Sequence, residues 1–238
     1  MNTSIWQILL LLLLAYTVVP TLMIRMLHIG AMSRIPKGGN RVALTFDDGP
    51  DPEYTPQILN ILERFKVKAC FFVVGSKAQA NPEILRQIVR AGHEIGNHGY
   101  YHKPVWLLGP VATAKDIDDT DRAIEALTGQ QARYYRPNWG LFNLFSVLYY
   151  RFKGARVVLW TFMSWDWTRK CSPQSITELV LKRVRDGSIL ILHDSDKTAG
   201  ATRGAPAQVI AALPGIMEGI QRKGLKIVPL KDIIKESR

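Results

Sequence analysis

The chain has 238 residues, a formal net charge of +11 and a sequence pI near 9.8. That length suits one substantial domain with one core, and the basic balance favours an anionic neighbour such as lipid headgroups or a cell-wall polymer. Nucleic acid is not expected as a partner, because Lys and Arg are scattered and no helix-turn-helix, zinc-finger or RNA-binding signature accompanies them.

The first element is an uncharged run from Ile5 to Ile24, IWQILLLLLLAYTVVPTLMI, which as a helix spans about 30 Å, the thickness of a bilayer's hydrocarbon core. It predicts one N-terminal transmembrane helix within residues 1–25. The leader MNTS carries no Lys or Arg and no A-x-A site follows, so a retained single-pass anchor is expected over a cleaved signal. Arg25, Arg34, Lys37 and Arg41 follow the run, which by the positive-inside rule puts the domain in the cytoplasm. A cell-wall polymer as the anionic neighbour would put it on the extracytoplasmic side of the cell membrane, and the sequence leaves the two in conflict. Residues 26–40, with Gly38 and Gly39, read as a juxtamembrane linker, and residues 41–238 as the folded domain.

From Arg41 to Asp48 the chain reads as a short apolar strand, after which Thr55 and Pro56 predict the N-cap and first position of a helix. KACFFVVG is a second buried strand, and Asn81 with Pro82 opens a helix that closes at Gly92. A strand around HEIGNH, a helix within Val111 to Thr128 and a break at RYYRPNWG come next. A helix near Asn143 to Phe152 leads to the strand RVVLWTF, and Ser172 with Pro173 starts another helix. The strand SILILHD, a helix around Ala207 to Arg222 and the strand LKIVPL complete the series. Repeated strand-helix units imply a parallel α/β sheet, closed, partly closed or open. Cys70 falls in an apolar run and reads as core, Cys171 precedes a helix, neither has CxxC spacing, and their pairing stays open.

Polar residues gather at strand ends, where parallel α/β folds place their chemistry. Asp47 and Asp48 end one strand, His98 another, and His193 a further one, while Asp166 follows a strand. His98 and His102 are four apart, so on a helical turn both imidazoles could grip one metal, with Asp48 as third ligand. Such an open set suits a catalytic divalent cation, zinc best by its imidazole preference. Asp47 is then free to serve as general base toward water, and His193 as the acid that protonates a leaving nitrogen. His93 lies outside the pair and reads as structural.

On these residues the chain resembles the polysaccharide deacetylases of carbohydrate esterase family 4, the nodulation-protein deacetylase homology domain, across about Arg41 to Leu230. TFDDGP at Thr45 to Pro50 matches the family's first motif, implying Asp47 as base and Asp48 as ligand. HGYYH resembles H-[ST]-x-x-H and implies His98 and His102 as ligands. RPNWG is similar to an R-x-P-Y-G type motif, implying that Arg136 orients the base and that the Trp139 N–H helps hold the oxyanion. DW implies Asp166 in support of the acid and Trp167 as a wall of the acetyl pocket. ILH resembles L-x-H, implying His193 as acid and Ile191 in the pocket lining.

The resemblance implies a distorted (β/α) barrel and metal-dependent N-deacetylation of an amino-sugar polymer, peptidoglycan or a chitin-like GlcNAc glycan, by a monomer. A deacylase of a lipid-linked sugar and a catalytically silent carbohydrate-binding scaffold are the alternatives. Gly99 replaces the usual Ser or Thr, which predicts loss of a hydrogen bond that steadies the His loop. Asn138 and Trp139, where Pro and Tyr are common, predict a reshaped sugar groove.

Overall fold

The computed structural model describes residues 3–27, 30–36 and 38–235. Met1 and Asn2 of the leader, Lys37 of the linker and the last three residues of the expected domain lie outside the described residues. The expected single span is instead two helices, α1 (Thr3–Thr17) and α2 (Val19–Leu27), bent by 41°. Pro20 accounts for the break: it has no N–H to give the carbonyl of Tyr16, and its ring crowds the turn before it. Neither helix alone is long and apolar enough to cross a membrane, and the bent pair meets that requirement together by length and composition only. Side chains from Ile5 to Leu14 are exposed all round α1, whereas α2 buries Thr21 and Ile24 against the rest of the chain.

The remaining elements follow the expected strand-helix order, with two helices the sequence did not predict, one at 75–80 directly before the helix of 82–90 and one at 230–235 where the strand LKIVPL was expected to end. They are β1 (Arg41–Asp47), α3 (Thr55–Arg64), β2 (Cys70–Val73), α4 (Gly75–Ala80), α5 (Pro82–Arg90), β3 (Glu94–Asn97), α6 (Pro110–Thr128) and β4 (Tyr134–Tyr135). Then follow α7 (Leu144–Phe152), β5 (Arg156–Val157), α8 (Pro173–Arg183), β6 (Ile189–His193), α9 (Ala205–Arg222), β7 (Lys226–Ile227) and α10 (Leu230–Lys235). The sheet is parallel in the order β5-β4-β3-β2-β1-β6, with β7 also paired to β1. It curls so far that the chain beyond β5 meets β6: Thr161 N–H donates to Ile189 O at 2.9 Å, and Ile189 N–H donates to the Thr161 hydroxyl. The result is a curled half-barrel of parallel strands whose ends approach at one seam, short of the closed form of a (β/α) barrel.

Helices cover the outer face because the strands are apolar along almost their whole length, as sheets buried on both faces require. Leu44, Phe46, Phe71, Val73, Leu190 and Leu192 pack beneath Ile58, Leu62, Ile88, Ile216 and Ile220 of the surrounding helices. Cys70 is buried and Cys171 partly buried, and both thiols are free.

Local capping differs in two places from the pattern read in the sequence. Thr55 does not cap α3: its hydroxyl accepts from Asp51 N–H and donates to Asp194, while Pro56 keeps its place in the first turn. Asn81 precedes α5 without a capping bond, because its amide turns back to the Lys77 carbonyl. Ser172 does cap α8, in a reciprocal box with Ser175. Only Arg156–Val157 of RVVLWTF is regular strand, since from Val158 onward the chain bonds Met32 and then crosses the seam.

Candidate active site

Strand register brings the polar residues together. On β1 and β6, Asp47 lies opposite His193 and Thr45 opposite Ile191, while Val73 of β2 aligns with Asn97 of β3, immediately before His98. Asp47 is the last residue of β1, and Asp48 then turns into the left-handed region at φ 79. The two carboxylates therefore leave the strand in different directions and meet different partners.

Asp47 is 2% exposed and receives Arg136 Nη1 on Oδ1 at 2.5 Å. Its Oδ2 lies 3.7 Å from His98 Nε2. Asp48 points Oδ1 between two imidazoles, 3.3 Å from His98 Nε2 and 3.1 Å from His102 Nε2, and its Oδ2 accepts from the Thr198 hydroxyl at 2.5 Å. Burial opposes the charge on Asp48, but His102 and His98, when protonated on Nε2, outweigh it and hold the carboxyl well below its ordinary range.

His98 and His102 do not share a helical turn. They bracket an irregular loop in which Gly99 (φ 76) and His102 (φ 53) are left-handed, and the ring centroids come within 5.3 Å. The bond expected to be lost at Gly99 has a replacement. Asp116 of α6 accepts from the N–H groups of Tyr100 and Tyr101, and Asn97 Oδ1 accepts from Gly99 N–H. A Cβ at Gly99 would sit 2.7 Å from Asp116 Oδ2, so the Gly and the Asp fit only together.

Whether these groups suit a metal follows from their protons. His98 Nδ1 lies 2.7 Å from the Arg136 carbonyl, which can only accept, so in the neutral ring the proton sits there and the Nε2 lone pair faces Asp48. Asp48 Oδ1 is buried without a hydrogen-bond partner. A carboxylate oxygen held against an imidazole lone pair is costly unless a cation lies between them. Asp48, His98 and His102 each offer one such atom, all within 4.8 Å of one another, so the three residues fit a divalent cation.

Arg136, fully buried, organises the floor. Its guanidinium donates to Thr45 Oγ1, Asp47 Oδ1, Val158 O and Leu159 O, and stacks 4.0 Å over Phe72. Across the mouth, His193 Nδ1 is 3.1 Å from both oxygens of Asp166, which also accepts from His193 N–H and from the Ser164 hydroxyl. Burial disfavours the imidazolium of His193, yet the Asp166 charge and hydrogen bond more than offset it and push the pKa up to about 10. Ile191 is buried two residues below His193, beside Leu159 and Trp160. Trp139 is 40% exposed, edge-on to His102 at 4.7 Å between ring centroids, and Trp167 packs against the half-exposed Trp165.

Trp139 and Trp165, like Asp48 and His102, adopt positive φ, at a cost of about 1–3 kcal/mol each. That four such residues border one mouth marks a place where geometry is held against local preference. His93, by contrast, lies away from the mouth at the other end of β3. Its Nδ1 accepts from Ala69 N–H, and burial lowers its pKa to about 4, which suits a neutral scaffold residue.

Several supports were not legible in the sequence. Lys77 donates to the Asp48 carbonyl and to Ser195, and Thr198 holds Asp48 from a loop without any motif. Asp194 fills the space beneath Gly49, where a Cβ would collide with its carboxylate. Burial pushes Asp194 up to about 7 despite the Thr55 hydroxyl. Its position directly after His193 was the one available signal.

Comparison with known proteins bears on the family and the fold. A family model described as polysaccharide deacetylase matches residues 34–158. A peptidoglycan-N-acetylglucosamine deacetylase of Bacillus cereus is 32% identical over 206 residues, covering 84% of this chain and 91% of that protein. A crystal structure of a peptidoglycan N-acetylglucosamine deacetylase, in complex with 4-naphthalen-1-yl-N-oxidanyl-benzamide, superposes with a TM-score of 0.81 at 30% identity, over 88% of this chain and 95% of that one. The wild-type BA3943 protein of Bacillus anthracis, a CE4 family pseudoenzyme, also superposes, with a TM-score of 0.76 or below across its forms and 0.75 at 27% identity for the wild type, over 84% of this chain and 67% of that one. A shared fold therefore does not by itself carry activity, and the decision falls to the residues in the mouth.

Proposed function

The chain belongs to the polysaccharide deacetylase family, and from that premise we propose that it is a divalent-metal-dependent hydrolase of N-acetyl groups on a GlcNAc glycan, peptidoglycan foremost. The carrying observation is the convergence of Asp47, Asp48, His98, His102 and His193 on one mouth, with Asp48 Oδ1 buried between two imidazoles and without a hydrogen-bond partner. That complete set argues against a silent scaffold.

Asp48, His98 and His102 would hold the cation, zinc in our reading. When bound it supplies Lewis acidity, polarising the acetamide carbonyl and making water easier to deprotonate. Asp47, held through Oδ1 by Arg136, takes a proton from the attacking water through Oδ2. The Trp139 N–H faces the oxygen on which negative charge develops, a task that belongs to the backbone and survives the exchange of Tyr for Trp. His193 delivers a proton to the departing nitrogen as the C–N bond breaks, leaving acetate and a free amine. Asp166 keeps that imidazole charged and oriented. Trp139 and Trp167 form walls for the acetylated sugar, and Ile191 lies at the base.

The domain of residues 41–238 is tethered to the membrane by the bent pair α1–α2, whose exposed apolar side chains a bilayer would cover, and it faces the cell wall outside the cell membrane. The packing of α2 against the 139–142 loop also favours a second reading, in which the acetylated sugar is lipid-linked and reached at the membrane surface.

The test is acetate release by the full chain from N-acetylchitooligosaccharide, peptidoglycan and a lipid-linked N-acetylated sugar. Release is expected from at least one, abolished by chelator and restored by zinc. No release from any of them would favour the silent scaffold. Asp166→Asn is a second check. His193 holds its proton below about 10 because the Asp166 charge offsets burial, so removing that charge leaves burial to lower the pKa. The alkaline limb of the kcat/KM profile should then move down by about one pH unit or more. An unmoved limb would take the acid role away from His193.

A further inference from the structure

The end of α2 rests on the loop that carries Trp139. Arg25 donates from Nε to the Gly140 carbonyl at 3.2 Å, and from Nη2 to the same carbonyl at 3.2 Å and to that of Trp139 at 3.3 Å. Its guanidinium carbon lies 5.1 Å from the centre of the Trp160 ring. One turn earlier, Thr21 Oγ1 accepts from Phe142 N–H at 2.8 Å and donates to Phe142 O at 3.3 Å. Ile24 is buried with Phe142, Leu159, Trp160 and Ile191.

This loop needs holding. Trp139 and Gly140 are consecutive left-handed residues, at φ 56 and φ 63, and a Cβ at Gly140 would run into Arg25 Nη2 and Trp160. Gly140 and Leu141 N–H groups are committed to the carbonyls of Pro137 and Asn138, which closes the turn on one side only. Two adjacent carbonyls pointing the same way repel unless a donor bridges them, and a planar guanidinium fork suits that task where an ammonium reaches fewer acceptors at once.

We propose that Arg25 is a positioning residue of the deacetylase site: by bridging the Trp139 and Gly140 carbonyls it fixes the two peptides that follow the Trp139 N–H, and so the left-handed turn that aims this N–H at the oxyanion, making the last turn of the membrane segment part of the catalytic unit. The inference rests on the deacetylase reading above. It assigns α2 a role that charge counting alone, which treats Arg25 as a topology signal, does not contain.

The experiment uses the full chain in phospholipid nanodiscs, unmutated and as Arg25→Met and Arg25→Lys. Arg25→Met should lower kcat about tenfold with KM changed less than about twofold, because the loop is misplaced rather than the sugar groove removed. Amide exchange across 138–143 should accelerate about tenfold in the same variant. Arg25→Lys, whose ammonium reaches fewer of these acceptors at once, should recover only part of both. Should Arg25→Met not accumulate, Thr21→Val cuts two bonds of the same tether and carries the same comparison. Unchanged exchange in the variant overturns the tether whatever the activity, and faster exchange with unchanged kcat overturns the positioning role. An unmutated protein that releases no acetate sinks the deacetylase reading and the positioning role with it, while the exchange data still decide the tether.

Discussion

Asp47→Asn is expected to lower kcat about 10²–10⁴-fold, the span that a general base contributes, while the protein still folds and binds zinc. Asn is nearly isosteric and its amide oxygen can still accept from Arg136 Nη1, so the buried guanidinium is not stranded. What disappears is a basic oxygen at the position of Asp47 Oδ2. The three residues that would hold the cation are untouched, and Asp48 keeps its Thr198 bond. Acetate release and zinc titration on the same preparation check both halves. Equal turnover would remove Asp47 from its role, and loss of zinc binding with loss of activity would make it a ligand instead.

The residues that end strands were legible because a parallel sheet converts sequence position into spatial position. Asp47 and His193 occupy aligned positions on paired strands, and His98 follows β3, so short motifs at strand ends already describe one mouth. The strand-helix alternation was legible for the same reason: Ser172-Pro173 and the apolar runs of β1 and β6 are strong local signals.

Loops were harder. His98 and His102 have helical spacing, yet Gly99 breaks the helix and brings the rings together through left-handed turns instead. Spacing predicted the meeting and mistook the path. The loss expected at Gly99 came from reading one position alone, whereas the acceptor that steadies the loop, Asp116, comes from a helix 17 residues on. Thr198, Lys77 and Asp194 reach Asp48 or its loop from distant stretches, which no short motif encodes. In the N-terminal segment, hydropathy saw an uninterrupted apolar run, but composition does not register the missing N–H of Pro20 that divides it.

Arg136→Met is expected to destabilise the fold by about 3–5 kcal/mol, because it removes one partner of a fully buried ion pair and leaves the Asp47 charge uncompensated. The loss extends beyond that pair. Val158 O and Leu159 O give up their donors in the segment that carries the chain from β5 toward the seam with β6, and Thr45 loses the guanidinium from its hydroxyl. For a chain of this size such a change lowers the unfolding midpoint by on the order of 10 °C, readable by calorimetry. Activity should fall with it, since Asp47 loses the donor on Oδ1 that orients its carboxylate toward the water. Arg136→Lys separates the two effects: it keeps the charge and the packing against Phe72, so part of the stability should return, but an ammonium cannot serve four acceptors shared between β1 and the segment after β5. Equal melting of Arg136→Met and the unmutated chain would show that the barrel does not depend on this residue. The floor of the site would then be held by the strands alone.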